Sequence, residues 1–330
     1  MSDRRGFAPY MSLVVPMYNE AEGITPFFER AEAVLDALLG QGAISNYEII
    51  CVNDGSSDDT VYRLGDHHER NPRIKVLDLS RNFGKEAALT AGMANVNGDV
   101  IVPIDADLEE PPELITAFLE QWRNGFDIIY GARASREHDS LSKQITSSLF
   151  YKVFNAISEH QIPHDAGDYR LMNRSVVDII NAMPERNRFM KGIFSYPGFK
   201  TTSVAFNRQP RHAGTTKFSP VKLFGLAFSG IVSFSLAPIR LFIYLGAGIS
   251  ILSFFYLIFV IAKTIVYGVD EPGYASIIST VLFLGGIQIL GLGIIGEYVG
   301  RIYVEVKNRP IYIIQERIGF NPSQEEHKKI

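Results

Sequence analysis

Two long stretches without charged side chains limit the folds that are open to this chain. Residues 241–262 and 274–296 contain no Asp, Glu, Lys or Arg. Each is long enough to cross a hydrocarbon layer of about 30 Å as a helix. Two buried helices of a soluble protein are the alternative, but such helices seldom stay apolar all round over this length. The sequence therefore predicts two transmembrane helices, at about 238–263 and 274–298.

The charges beside these helices predict their orientation. Two crossings place the N-terminal part and the C-terminal tail on the same side of a membrane. The loop 267–273 contains Asp270 and Glu271 and no cation, although Lys263 lies close to it. By the positive-inside rule, the N-terminal part and the tail are expected on the cytoplasmic side of the plasma membrane. The cations on that side are Lys217, Lys222, Arg240, Arg301, Lys307 and Arg309.

The segment 217–236 has a mixed, amphipathic pattern. Pro220 suits the first turn of a helix, and Lys222 lies near one face with serines. This favours a helix in the plane of the lipid headgroups, with a third membrane span as the alternative. The predicted domains are a catalytic domain at 1–216, this interfacial helix at 217–236, two membrane helices within 237–300, and a tail at 301–330.

The N-terminal part alternates apolar strands with helical patterns, which predicts an α/β domain with a mostly parallel sheet. The net charge of −4 gives no basic signature of nucleic-acid binding. A single cysteine, Cys51, leaves no disulfide framework. No GxGxxG follows the first strand and GxxxxGK[ST] does not occur, so dinucleotide and P-loop sites lose their main support.

Acidic side chains follow the ends of several predicted strands. Ligands of parallel α/β sheets bind beyond the carboxyl ends of the strands. Asp105 and Asp107 supply two hard oxygen ligands of the kind that Mg²⁺ or Mn²⁺ accepts, with a helix cap or solvated turn as the alternative. Asp54 either accepts a hydrogen bond from a nucleoside or forms a turn with Gly55. The residues expected to meet at this edge are Tyr18, Glu20, Asp54, Asp105 and Asp107.

Motifs in a fixed order resemble those of one family. The chain resembles the family 2 glycosyltransferases, and more narrowly the polyprenyl-phosphate glycosyltransferases, which include dolichyl-phosphate mannose synthases and bactoprenol glucosyltransferases. The resemblance covers nearly the whole chain and is more specific for the family than for the sugar. The motifs that carry it are VPMYNE, VNDGSSDDT, SRNFGKEAALTAG, DADLEEPPE, GAR and RHAGTTKF, followed by the two apolar runs and GEYVGRIYVEVKNRP.

This resemblance implies a GT-A fold, a nucleotide-sugar donor and an inverting transfer to a lipid phosphate. Asp105 and Asp107 would hold the metal and the diphosphate, and Glu109, where the family often has Gln or Asp, could reach the metal. The residues implied to bind the nucleotide sugar are Pro16, Tyr18, Glu20, Val52, Asp54, Asp105, Ala106, Asp107 and Arg211. Those implied to meet the acceptor phosphate are Arg133, Lys143, where Arg is common, Ser147 and Lys217.

The acceptor chemistry lowers the demand for a strong base. A phosphate monoester has a second pKa of about 6, so it is largely a dianion at neutral pH. Asp165 or Asp168 would orient or deprotonate the acceptor, with structural hydrogen bonding near Arg170 as the alternative. Arg81 and Lys85 would either pack at a helix start or contact the donor diphosphate.

Several functions remain open at this stage. Transfer of glucose from UDP-glucose to undecaprenyl phosphate is the leading expectation, and transfer of mannose from GDP-mannose is the alternative within the family. A non-enzymatic membrane protein that binds sugar nucleotides and a nucleotidyltransferase are alternatives outside it, as is a processive synthase, for which a QxxRW motif is absent. Residues 301–317 form two strand-like runs, which we expect to pair with another subunit in a homo-oligomer.

Overall fold

The computed structural model describes residues 4, 6–133, 166–186, 188, 190–207, 237–267 and 273–320. The segment 217–236, for which an interfacial helix is predicted, lies outside these residues. In chain order the helices and strands are β1 (Tyr10–Met17), α1 (Ile24–Gly40), β2 (Asn46–Asn53), α2 (Thr60–Arg70), β3 (Ile74–Leu79), α3 (Lys85–Ala94), β4 (Val100–Pro103), α4 (Leu114–Arg123), β5 (Ile128–Arg133), β6 (Ala166–Asn173), α5 (Arg174–Ala182), α6 (Met190–Ser195), β7 (Thr201–Phe206), α7 (Ala237–Tyr267), α8 (Tyr274–Val306) and β8 (Ile314–Ile318).

The strands of the described residues form a single sheet in the order β7-β5-β6-β4-β1-β2-β3-β8. Strands β1 to β4 run parallel, and β5 runs parallel to β7. Only β6 and β8 run antiparallel to the strands beside them. The predicted α/β domain with a mostly parallel sheet is therefore confirmed.

Helices cover both faces of the sheet, which explains why the central strands are continuously apolar. Along β1, Leu13 and Val15 point to the face that packs against Phe28 of α1 and Phe118 of α4. Val14, between them, points to the other face, where α3 and α5 lie. This alternation follows from the two-residue period of a strand.

Gly92 allows α3 to lie directly against the sheet. A Cβ atom at this position would lie 2.3 Å from Val14 Cγ1 and 3.1 Å from Val52 Cγ2, closer than packed atoms come. Since α3 begins at Lys85, this close packing also fixes the helix that carries Lys85.

A buried carboxylate lies near the amino end of β2. Glu48 is only 1% exposed and accepts hydrogen bonds from Ser12 Oγ at 2.6 Å, Lys75 Nζ at 2.7 Å and the Asn97 backbone N–H at 2.6 Å. Burial by itself would raise the pKa of Glu48, but these partners outweigh it and lower the pKa below its ordinary value. The side chain is therefore held as a charged, fully bonded group.

The two apolar runs form the long helices α7 and α8, which contact each other where Phe242 packs on Gly291. Of the residues that the structure describes, one segment, Phe283–Val306, is long and apolar enough to cross a membrane, with a mean hydropathy of 1.4. A shorter apolar stretch, Phe242–Tyr256, lies in α7. The described residues thus contain one candidate membrane helix, and the two predicted crossings remain a prediction.

The prediction of two strands in the tail is wrong. The first strand-like run continues α8 to Val306, because its apolar residues extend the helix past residue 298. Only the second run forms a strand, β8, and it pairs antiparallel with β3 of the same chain. Because β3 pairs with one edge of β8 within the same chain, the expectation that this segment lacks a partner in the domain no longer holds.

Candidate active site

The loops after β1 and β2 are tied together at the carboxyl edge of the sheet. The backbone N–H of Asn19 donates to Ser56 Oγ at 2.9 Å, and the Ser57 N–H donates to Asn19 Oδ1 at 2.8 Å. The N–H of Glu20 donates to Thr60 Oγ1 at 3.0 Å. Asn19 has a φ of +54°, a backbone conformation that Asn tolerates better than most residues. Both predicted nucleoside-binding loops therefore form one surface.

The members of the predicted nucleoside site differ in exposure. Tyr18 is 41% exposed at this surface, as a stacking residue needs to be. Pro16 and Val52 are neighbours across β1 and β2, as their shared implied role requires. The Val52 side chain, however, is completely buried in the core, and Ala106 is 3% exposed. Val52 therefore offers no exposed surface to a ligand in this structure.

Asp54 organises the loop that precedes α3. Its Oδ1 accepts a hydrogen bond from the Phe83 N–H at 2.7 Å, and its Oδ2 accepts one from the Gly84 N–H at 2.9 Å. Gly55 has a φ of +63°, and a Cβ there would lie 2.4 Å from the backbone carbon of Arg81. Burial raises the pKa of Asp54, and the two N–H groups partly oppose this. The carboxylate therefore supports this loop, whatever else it binds.

Lys85 joins two carboxylates that are distant in sequence. Its Nζ lies 2.7 Å from both oxygens of Asp105, after β4, and 2.8 Å from Asp168 Oδ2, in β6. Burial by itself would lower the pKa of Lys85, but Asp168 and Asp105 raise it, so the ammonium stays charged. The strand ends thus bring Asp105 and Asp168 together, as their proposed roles require. The sequence left the function of Lys85 undecided.

Glu110 is a further acidic group of the site to which the sequence assigned no role. Burial, followed by the charge of Asp105, raises the pKa of Glu110 to about 8. Its Oε2 atom is buried and has no hydrogen-bond partner within the described residues. Its Oε1 lies against Gly167, where a Cβ would come within 3.1 Å. The four carboxylates of DADLEE could have indicated from the sequence that Glu110 belongs to this acidic site.

Arg170 fixes the backbone beside Asp168. Its Nη2 donates to the Gly167 carbonyl at 2.7 Å and its Nε donates to the Asp168 carbonyl at 3.3 Å. The guanidinium stacks over the Phe194 ring at 3.9 Å, and burial lowers its pKa to about 10. Arg170 therefore holds the main chain, while the Asp168 carboxylate contacts Lys85.

Asp105 and Asp107 suit a divalent cation that is shared with a substrate. Among the described residues, no group of three His, Cys, Asp or Glu side chains could hold a metal ion. The expected set of Asp105, Asp107 and Glu109 is therefore not assembled as a three-residue site. Mg²⁺ is commonly bound by one or two carboxylates with substrate phosphates supplying further oxygens. Asp105 and Asp107 are two such carboxylates, so the chemistry of this donor set fits an ion of this kind.

Several predicted site residues fall outside the described part of the chain. Arg133 ends β5, where only its backbone is described. The others are Lys143, Ser147, Asp165, Arg211 and Lys217.

The fold is similar to that of solved glycosyltransferases, although at low identity. Glucosyl-3-phosphoglycerate synthase from Mycobacterium tuberculosis matches 70% of this chain and 79% of its own with a TM-score of 0.45 and 16% identity. Mannosyltransferase PcManGT from Pyrobaculum calidifontis matches 61% of this chain and 56% of its own with a TM-score of 0.44 and 18% identity. Scores at this level add nothing to the description of the site.

Comparison of the sequence is more informative. The family Glycosyl transferase family 2 matches residues 12–180, and the GtrB C-terminal hairpin matches residues 237–302. An uncharacterized glycosyltransferase of Synechocystis is 50% identical over 94% of this chain and 96% of its own. The bactoprenol glucosyl transferase of Shigella phage SfII is 43% identical over 94% of this chain and 99% of its own. The chain therefore belongs to the family 2 glycosyltransferases, has their GT-A fold, and is a glycosyltransferase.

Proposed function

We propose that this enzyme transfers glucose from UDP-glucose to undecaprenyl phosphate, with inversion, at the cytoplasmic face of the plasma membrane. The observation that carries the proposal is the 43% identity to a bactoprenol glucosyl transferase over 94% of the chain. This similarity includes both the catalytic domain and the helical hairpin. Membership of the family removes the support for a nucleotidyltransferase or a non-enzymatic binding protein.

The chemistry requires one displacement at the anomeric carbon. An oxygen of the acceptor phosphate forms a bond to C1 of glucose, while the bond from C1 to the diphosphate oxygen breaks and UDP leaves. Inversion converts the α-linked donor into a β-linked product. The second pKa of a phosphate monoester is about 6, so the acceptor phosphate is largely deprotonated at neutral pH and needs little help from a base. Positioning and charge stabilisation then carry most of the rate enhancement.

The described residues offer candidates for several of these functions at one edge of the sheet. Asp105 and Asp107 would hold Mg²⁺ or Mn²⁺, which when bound neutralises charge on the leaving diphosphate. Tyr18 would stack on the base beside the joined loops after β1 and β2. Asp168, fixed by Arg170, would orient the acceptor. Arg133, Lys143, Ser147 and Lys217 remain the candidates for the acceptor phosphate.

The long helices support delivery of a lipid acceptor. Large apolar side chains on both are exposed, for example Leu252 at 71% and Leu292 at 67%. Such surfaces are rare on soluble monomers and mark contact with lipid or protein. The end of α8 contacts the catalytic domain, since the Arg186 N–H donates to Glu305 Oε1 at 2.9 Å. We expect α7 and α8 both to cross the membrane, with the domain and the tail in the cytoplasm.

The proposal is tested with the full-length chain in membranes that contain undecaprenyl phosphate and Mg²⁺ or Mn²⁺. Radiolabelled UDP-glucose and GDP-mannose are supplied separately, and label is measured in the organic-solvent phase. We expect label from UDP-glucose only, no label with Asp107→Asn, and normal label with Lys200→Met, which replaces a lysine stacked on Phe126 away from the site. Label from GDP-mannose alone, or UDP release without labelled lipid, would reject the proposed reaction.

A further inference from the structure

The position of Lys85 affects how a cation can reach Asp105. Lys85 is the first residue of α3, and the two preceding backbone N–H groups, of Phe83 and Gly84, are held by Asp54. The start of the side chain is therefore fixed. Its ammonium lies 2.7 Å from both Asp105 oxygens, so it is in contact with both ends of the carboxylate.

A divalent cation and this ammonium cannot keep the same place. Mg²⁺ binds a carboxylate oxygen at about 2.0–2.1 Å, which is closer than the ammonium comes. Because the ammonium touches both oxygens of Asp105, a cation bound to either one would lie beside a like charge within a few ångströms. Because two cations repel at this distance, binding of the divalent cation at either oxygen is favoured when Lys85 leaves that oxygen.

The Lys85 side chain borders solvent and can change its partner. It is 43% exposed, compared with 34% for the Asp105 side chain and 21% for the Asp168 side chain. A lysine has a flexible four-carbon stem and is a common ligand of phosphate. If the proposed function is right, the donor diphosphate brings negative charge to this edge. The ammonium could then exchange a carboxylate oxygen for a phosphate oxygen without losing an anionic partner.

We infer that Lys85 and the divalent cation compete for Asp105, and that a nucleoside diphosphate relieves this competition by drawing Lys85 to its phosphate oxygens. Lys85 is then a positioning residue that couples the binding of metal and donor. The coupling is reciprocal, so the cation must strengthen nucleotide binding by the same factor. The cation alone binds weakly, and the site is assembled only when both ligands are present.

The inference is tested by direct binding of Mn²⁺ to the full-length chain in phosphatidylcholine nanodiscs, whose headgroups carry no net charge. Free Mn²⁺ is measured by electron paramagnetic resonance, with and without UDP. The variants are Lys85→Met and Lys85→Gln, which remove the ammonium, with Lys200→Met as the matched control. Without UDP, we expect both Lys85 variants to bind Mn²⁺ about tenfold more tightly than the wild type, within the usual range of coupling between sites. UDP should then improve Mn²⁺ binding less than it does in the wild type.

Unchanged or weaker Mn²⁺ binding by the Lys85 variants without UDP would overturn the inference. Lys85→Met and Lys85→Gln differ in polarity. An effect shared by both variants is therefore due to loss of the ammonium, whereas an effect seen in only one is due to the packing of the new side chain. A second readout uses the wild type alone. The rate of Lys85 acetylation is measured by peptide mass spectrometry, and it should rise when Mn²⁺ displaces the Lys85 ammonium from Asp105. An unchanged acetylation rate at saturating Mn²⁺ would contradict displacement. Neither readout needs a sugar or an acceptor, so failure of the transferase assay is distinguishable from failure of this inference.

Discussion

Replacement of Gly92 by alanine tests whether α3 is held against the sheet as closely as the structure shows. The new Cβ would lie 2.3 Å from Val14 Cγ1 and 3.1 Å from Val52 Cγ2, so something must shift. Overpacking of a core costs about 1–3 kcal/mol. Valine is stiff at χ1, and β1 is held on both sides by β2 and β4, so little relaxation is available. The higher helix propensity of alanine offsets about 0.5–1 kcal/mol of this cost. Because little relaxation is available, we expect an overpacking cost of about 2–3 kcal/mol and a net loss of about 1–2.5 kcal/mol.

Gly65 provides the matched control for this change. It also lies within a helix, α2, but a Cβ there would meet nothing within 4 Å. Gly65→Ala should therefore stabilise the protein by about 0.5–1 kcal/mol through helix propensity alone. Since 1 kcal/mol shifts the Tm of a domain of this size by about 2–4 °C, the two variants should differ in Tm by several degrees in opposite directions.

The assay is thermal unfolding followed by the fluorescence of Trp122, the single tryptophan, which is buried in α4. Because α3 carries Lys85, Gly92→Ala should also weaken binding of UDP with Mn²⁺, whereas Gly65→Ala should leave it unchanged. A Gly92→Ala protein as stable as Gly65→Ala would refute the reasoning. It would show that α3 can move away from β1 at no cost.

Three further predictions concern groups whose partners the structure identifies. Glu48→Gln should lower stability by about 3 kcal/mol at neutral pH, because Lys75 loses its buried partner. The pKa of Glu48 is lower in the folded state than in the unfolded chain, so its stabilising effect is complete above about pH 5 and disappears as the pH falls through the folded-state pKa. The Tm difference from wild type should therefore shrink below that pH, and a constant difference would contradict this. Arg186→Ala removes contacts to the Asn308 side chain and the Arg309 carbonyl, so hydrogen exchange at 307–313 should become faster, and unchanged exchange would refute a clamp there. Asp54→Asn leaves one acceptor for two N–H groups, so exchange at residues 83–84 should rise about tenfold, and unchanged protection would show that other contacts hold this loop.

The mostly parallel sheet and the location of the candidate site along the chain could be predicted from the sequence alone. The uncharged runs predicted long apolar helices, because charge is costly in lipid wherever it occurs in a helix. The alternation of apolar strands with helices predicted the mostly parallel sheet. Asp54, Asp105 and Asp107 follow strands, and strand ends in such a sheet share an edge. These features depend on local periodicity, which a sequence displays directly.

Which side chains become partners could not be predicted from the sequence and is known from the folded structure. Nothing in SRNFGKEAALTAG states that Lys85 reaches both Asp105 and Asp168, because the choice depends on how β4, β6 and α3 pack. The same holds for β8, whose apolar pattern suits a strand against any open edge, whether of β3 or of another subunit. Hydrogen bonds and ion pairs between distant residues depend on distances of a few ångströms, and these are set only when the whole chain has folded.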